Sequence, residues 1–382
     1  MQADFHYYAT YCAAYLAGYS HEEALALCYS DQFVDCCTKT FLKSISASVH
    51  AATSQSQAEL VDTRADIVGL QDITRIWASF HFLPKDLYAK TPRATKTYKN
   101  KYRLICGPNG ALVKDTVELA KGKSIQAAGI AMHVLADTWA HMNFAGTPSL
   151  AINNTSNDFY EVMFDGTLKK ISFKHSPGAS DDIENSVYNS TVFNPSETNI
   201  LNLGHGHAGH LPDYSFICYK YLPAWGNYME FIKDNPSDYR KAFCQMIYAM
   251  KYLRGEFDSF ETDKYDEDAI KYHAGRITEI LTKRQPDASA DWKAFGEELS
   301  GRQIPDFDVS AYVEEYLGSG KRDDTFLGKF IIAALSQKSM ITNKIYTSKN
   351  ILAGYSIDYN KKGFGGIKDY MKLVKESMRD RS

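Results

Sequence analysis

In the stretch HVLADTWAHMNFAG, residues 133–146, a histidine, an aspartate and a histidine recur at four-residue intervals: His133, Asp137 and His141. On an α-helix each such step advances about 40°, so the three side chains form one near-straight stripe about 12 Å long. That span is too long for one ion to hold both ends. It suits two ions, with the Asp137 carboxylate lying between them. Imidazole and carboxylate are the donors that a divalent metal of the zinc type accepts. The competing reading is a polar stripe of hydrogen-bonded core residues, which is costly because His and Asp are expensive to bury without partners.

A second concentration is GHGHAGHLPD, residues 204–213, with His205, His207, His210 and Asp213. His210 and Asp213 stand three residues apart, close enough to chelate one ion if a helical turn holds there. The glycines at 204, 206 and 209 allow close approach of backbone or substrate. Further candidates are isolated. Asp4 and His6 lie at a helix start, Asp31 and Asp35 share a helix face, and His81 sits in the apolar, aromatic WASFHFLP. Alone, Asp4 reads as a cap, Asp31 as a solvated charge and His81 as a core histidine. Together they matter more, because seven of the eleven histidines fall in these segments, all before residue 211.

The elements that must position these residues are mostly helical. Residues 6–18 read as a short helix stopped by Gly18. Ser20 caps the next one, with Glu22 and Glu23 in its first turn, where the helix dipole favours anions. An apolar helix ends at Pro84, residues 86–104 read as a basic excursion, and GPNG at 107–110 is a turn. The stripe itself lies on a largely buried helix from Ser124 to about Asn143. Asp165-Gly166 joins two short runs within 159–173 as a hairpin. Helical patterns return over 236–254, 265–284, 288–299, 308–318 and 323–338, and a final amphipathic helix follows a Gly/Tyr/Lys-rich stretch at 354–366. The expected fold is mostly α with a small β element: a metal-binding helical domain over 1–220 and a mainly helical C-terminal part over 221–382.

Composition narrows the partners. The 382 residues are 44% hydrophobic and 13% aromatic, enough for a substantial core, and the formal net charge of -3 gives no basic track for nucleic acid. Seven cysteines without a CxxC pair suit buried thiols better than a disulfide framework. No signal peptide and no membrane-spanning apolar run is visible. The expectation is a soluble chain, cytoplasmic as synthesised, with passage through a specialised secretion machine left open.

The phrases DFHYYATY, YSDQFVD, HVLADTWAHMNFAG and GHAGHLPD are similar to the zinc-dependent phospholipase C and S1/P1 nuclease superfamily. Within it, they most resemble the bacterial zinc phospholipase C group of fluorescent pseudomonads and Legionella-type intracellular bacteria. The likeness covers roughly residues 1–220. It implies a helical fold enclosing two or three Zn2+ ions at the bottom of a cleft. Carried over, Asp35, His81, His133 and Asp137 would hold one zinc, His141, His210 and Asp213 a second, and His6 with bridging Asp137 a third. The chain departs from that pattern in two places. It begins Met1-Gln2 where the family has a processed tryptophan, so Asp4 is inferred to supply the missing oxygen. The His210–Asp213 pair is one residue shorter than the family's, which keeps His205 and His207 as alternative ligands.

Such a cluster is suited to phosphodiester cleavage, because metal lowers the pKa of bound water from 15.7 toward about 7. Asp35 would both ligate and orient the attacking water, and Trp139 and Phe144 would wall the cleft. Phospholipid at a membrane surface, cleaved to diacylglycerol and a phosphorylated headgroup, is the expected substrate, and the 355–366 stretch could rest on lipid. A single-strand nuclease and a non-catalytic metal-binding interaction protein are the alternatives.

Overall fold

The computed structural model describes residues 1–63, 67–89, 103–147, 150–176, 179–190 and 204–349. Most of the basic excursion at 86–104, the 355–366 stretch and the last amphipathic helix lie outside the described residues. The fold is mostly α with a small β element.

The chain opens with a π-helical segment, Asp4–Ala9, that runs straight into α1, Thr10–Leu16. Gly18 follows at φ +85°, a left-handed position that favours glycine. α2, His21–Cys36, starts in a full capping box: Ser20 accepts from the Glu23 amide while the Glu23 carboxylate accepts from the Ser20 amide. α3, Ile67–Phe80, and α4, Ala111–Ala120, lead to α5, Ile125–Ala140. Thereafter come α6, Asn235–Leu253, α7, Ser289–Ser300, and α8, Phe326–Thr347.

α5 is the axis of the molecule. Every residue from Ala128 to Ala140 is buried, as expected of a helix with neighbours on all sides. α2, α4, α6 and α8 pack around it. Gly129 sets the closest approach: a Cβ there would fall 2.5 Å from the Leu27 carbonyl oxygen on α2. The stripe is therefore a row of polar groups inside an otherwise apolar core. That core is continuous from Met1 to Ile345 and takes side chains from both sides of residue 220.

The β element sits to one side. The hairpin expected around Asp165-Gly166 forms, pairing β1 (Tyr160–Val162) with β2 (Leu168–Lys170). β3 (Ser172–Lys174) and β4 (Val187–Asn189) make a separate parallel pair. β5 (Cys218–Tyr221) and β6 (Phe231–Asp234) complete the larger sheet in the order β2-β1-β5-β6. Phe159, Tyr219 and Tyr221 belong to a second apolar cluster with Phe144 and Leu211. That cluster backs the His205–Asp213 segment. Among the described residues, no helix is long and apolar enough to cross a membrane.

Candidate metal centre

The helical group draws on three elements around the stripe. Asp35 comes from α2, His81 from the turn just past α3, and His133 and Asp137 from α5. Four of their atoms converge. His133 Nε2 lies 3.3 Å from His81 Nδ1 and 3.3 Å from Asp137 Oδ2, and His81 Nδ1 lies 3.1 Å from the same Asp137 oxygen. Asp35 Oδ1 is 3.8 Å from His81 Nδ1 and 3.7 Å from His133 Nε2. Metal–ligand bonds of about 2.0–2.1 Å in a tetrahedron place the ligand atoms about 3.3–3.4 Å apart. The three separations among His81, His133 and Asp137 match that edge length, and Asp35 stands slightly farther from the two rings.

The far side of each ring settles which nitrogen faces inward. His81 Nε2 lies 2.9 Å from the Thr53 carbonyl, His133 Nδ1 lies 3.1 Å from Asp31 Oδ1, and His141 Nδ1 lies 2.7 Å from the His81 carbonyl. These partners only accept, so the nitrogens facing them carry hydrogen. In the neutral, metal-binding form of each ring the opposite nitrogen then carries the lone pair and faces the cluster, the arrangement by which metal-binding histidines are usually held.

A second group joins His141, His205 and Asp213. His141 Nε2 is 3.3 Å and His205 Nε2 3.1 Å from Asp213 Oδ1. His205 can turn inward because Gly204, at φ +55°, passes so near Asn153 that a Cβ would meet its Oδ1 at 2.7 Å. Asp213 sits on a 3-10 turn whose carbonyls are clamped from α6: Asn235 Nδ2 donates to Leu211 O at 2.8 Å and to Tyr214 O at 2.7 Å.

Asp137 connects these surroundings. Its Oδ2 faces His81 and His133, while its Oδ1 lies 3.2 Å from His6 Nε2 and 2.8 Å from the Met1 amine. That amine also stands 3.4 Å from His141 Nε2 and 3.3 Å from Asp213 Oδ1, between the two groups.

The electrostatics follow from crowding charge in a dry place. Burial alone would lower the Met1 amine, but Asp137, Asp213 and Asp35 outweigh it and hold the pKa at about 11. Burial would also lower His133, yet Asp137 and Asp35 raise it to about 10. His141 goes the other way, to about 4, because burial exceeds the pull of Asp137. Asp137 is held well below the usual carboxylate range: burial opposes this, and His141, the Met1 amine, His133 and His6 overcome it.

The expected site residues thus divide. His6, Asp35, His81, His133, Asp137, His141, His205 and Asp213 come together. His210 replaces His205 in the expected second set, but the structure turns it outward. Its Nδ1 still reaches Asp213 Oδ2 at 3.3 Å, while its side chain is 45% exposed. His207 points instead to Asn157 Oδ1 at 2.8 Å and packs near Phe159. The Asp4 carboxyl turns away from the clusters and accepts from the amides of Phe5 and Ala288. The oxygen it was expected to supply is not offered, and the Met1 amine occupies that neighbourhood.

Trp139 is a core side chain donating from Nε1 to Gln245 Oε1 at 2.7 Å. Phe144 backs His205 from the second apolar cluster, ring centroids 6.2 Å apart. Neither lines the cleft. The aromatic wall is Trp77 with Phe82, whose ring stacks on His141 at 4.7 Å. Trp77 lies four residues before His81, a helical spacing that would have pointed to it. Asp31, read from sequence as a solvated charge, is fully buried beneath His133.

A cleft of about 320 Å³ is lined by Asp35, His81, His141, His205 and Asp213 together with Leu60, Trp77 and Phe82, while His133 and Asp137 are buried behind them. No lysine or arginine lines it among the described residues. These buried His/Asp groups could hold metal ions.

Residues 1–345 match the family of unknown function DUF6765, and the chain belongs to that family. No curated protein and no solved structure matches the chain.

Proposed function

We propose that the chain is a zinc-dependent phosphodiester hydrolase of phospholipase C type, releasing diacylglycerol and a phosphorylated headgroup. The observation that carries this reading is the convergence of Asp35, His81 and His133, with Asp137 against both rings, beside a second group of His141, His205 and Asp213, along an open cleft that Asp35, His81 and the second group line. Asp35, His81, His133 and Asp137 would hold one ion, and His141, His205 and Asp213 another. The ions would supply hydroxide at neutral pH and positive charge facing the phosphate.

The chain's own side chains do the rest. Asp35 is the most exposed member of the helical group, its side chain 31% accessible. Its carboxylate therefore meets both the cleft and the rings of His81 and His133, and can accept a hydrogen bond from the attacking water and aim it. Buried Asp137 balances charge on both sides through its two oxygens. Leu60, Trp77 and Phe82 make one wall apolar, which excludes water and accepts hydrocarbon better than sugar. The absence of lysine and arginine from the described lining supports a lipid over a polynucleotide, whose affinity rests on phosphate neutralisation.

The test is metal analysis with parallel hydrolysis assays on phospholipid vesicles and on single-stranded DNA and RNA. The expected result is at least two metal equivalents, cleavage of phospholipid alone, and its abolition by chelators. Asp35→Asn, which keeps an oxygen donor but not the carboxylate charge, is expected to bind metal more weakly and, with metal in excess, to lose turnover by about 100-fold or more, the scale of a positioned acid–base group. Full turnover in that variant would remove Asp35 from the role given it, and cleavage of nucleic acid alone would replace the substrate.

A further inference from the structure

We infer that Asp31 is a positioning residue shared by His6 and His133, and that it sets how tightly the helical group holds metal. This rests on the metal centre proposed above, not on the identity of its substrate.

Asp31 is 0% exposed. Its Oδ1 lies 3.1 Å from His133 Nδ1, with which it is hydrogen-bonded, and 2.7 Å from His6 Nδ1, with which it is not. Its Oδ2 accepts from Thr10 Oγ1 at 2.8 Å. The two imidazoles stack with centroids 3.8 Å apart and planes 18° from parallel. Their Nε2 atoms both face Asp137, His133 toward Oδ2 at 3.3 Å and His6 toward Oδ1 at 3.2 Å. A parallel pair of rings is therefore held between two carboxylates, one deep and one at the metal side.

This placement has a chemical consequence. A carboxylate that accepts from Nδ1–H assigns the hydrogen to that nitrogen, leaves the lone pair on Nε2 and raises its basicity. Asp31 would do so for His133, and its same oxygen lies against His6 Nδ1 without a formed hydrogen bond, which fixes the stacked ring beside the ligand. The deep carboxylate reaches this position because Gly129, one turn before His133 on α5, has no side chain. A Cβ there would come within 3.0 Å of the Asp31 amide nitrogen. Asp31, His6 and His133 are close enough together to meet a cation, but His133 has Asp35 and His81, which line the cleft, on its other side, while Asp31 and His6 do not line it. That location suits support of the ligands better than an ion of its own open to substrate.

The experiment is cadmium titration of the metal-free full chain, followed by 113Cd NMR, which gives a separate resonance for each occupied position. In Asp31→Asn, affinity at the helical group is expected to fall about 10–100-fold, the usual effect of losing such a partner, while the His141/His205/Asp213 group loads as in wild type. Thr10→Val, which removes one bond to Asp31 and leaves both rings their partner, is expected to show a smaller loss at the same group. Unchanged cadmium affinity in Asp31→Asn overturns the inference. So does equal weakening of both groups with a lowered melting temperature of the metal-free chain, which would mark a general folding role. If Asp31→Asn does not fold, Thr10→Val decides: unchanged affinity overturns, selective weakening supports. A wild type that loads metal but cleaves no phosphodiester refutes the proposed reaction alone, and one that loads no metal overturns both.

Discussion

The helical group and the loop group share α5 but are built by different means. Asp35, His81, His133 and Asp137 come from helices or the turn directly after one, packed around a buried axis. His205 and Asp213 come from a four-residue helix and a 3-10 turn, short elements positioned by what lies behind them. The first group inherits its geometry from helix packing and the close contact at Gly129. The second depends on individual hydrogen bonds, above all from Asn235. Rigidity is thus distributed unevenly around one cleft, and each group should fail in its own way.

The largest expected effect breaks the stronger half. His133→Ala removes a ligand atom from the helical group and takes from buried Asp31 its hydrogen-bonded ring, leaving it only Thr10 and the His6 contact, a costly state for a charge. Metal uptake at that group should fall by well over the roughly 100-fold upper figure for lost supporting contacts. Hydrolysis should disappear with it. Metal analysis and phospholipid turnover measured on the same preparation check both. Retention of two metal equivalents would show that the four-atom convergence is not where metal binds.

Next comes the pair that separates the two histidine candidates of the loop group. His205→Ala should empty the second position while the helical group stays loaded. His210→Ala should lower affinity at the second position by less than about 10-fold, because its half-exposed ring touches Asp213 but lies outside the cluster of His141, His205 and Asp213. Equal losses in the two variants would mean that the ligand set is shared more widely.

This pair also marks the limit of what was legible beforehand. The four-residue spacing of His133, Asp137 and His141 could be read because helix geometry converts spacing directly into direction. The choice among His205, His207 and His210 could not, because Gly204 and Gly209 hold left-handed backbones that send neighbouring side chains in unrelated directions. Asp31 was missed for another reason. It lies four residues before Asp35, and only tertiary packing against α5 distinguishes a buried carboxylate from a solvated one. Trp139 shows the converse: sitting within the motif, it still faces Gln245 rather than the cleft, since residues on a fully buried helix point to every side. The helices and the hairpin were readable from pattern and caps, such as Ser20 with Glu23.

A subtler difference should appear in the dependence of stability on pH. In the metal-free chain the His133 pKa is raised from 6.5 to about 10, so its ion pairs contribute fully below pH 6.5. That contribution is lost as pH rises from 6.5 through about 10. Asp137 has the opposite sign: its contribution is present above the ordinary carboxylate pKa and is lost in strong acid. Metal replaces the proton on His133, so the loaded protein should lose the alkaline slope. Melting temperatures of metal-free and loaded protein between pH 6 and 10 measure this. Parallel curves would mean that His133 is not titrating in the fold.

The smallest expected effect probes the weaker half without touching a ligand. Asn235 is fully buried at the start of α6, and its amide donates to carbonyls on either side of the Asp213 turn. Asn235→Ala leaves those carbonyls short of a donor, at a cost of about 1–3 kcal/mol in stability. The Asp213 carboxylate loses its fixed direction, so the second position should bind metal about 10-fold more weakly, the low end for a supporting contact. The helical group, held by α2, α3 and α5, should be unaffected. Asp31→Asn is expected to produce the reverse selectivity, so the two variants compared by metal titration form a crossed test. If each weakens both groups alike, bridging Asp137 couples them into a single centre, and the separation of a packed half from a hydrogen-bonded half is wrong.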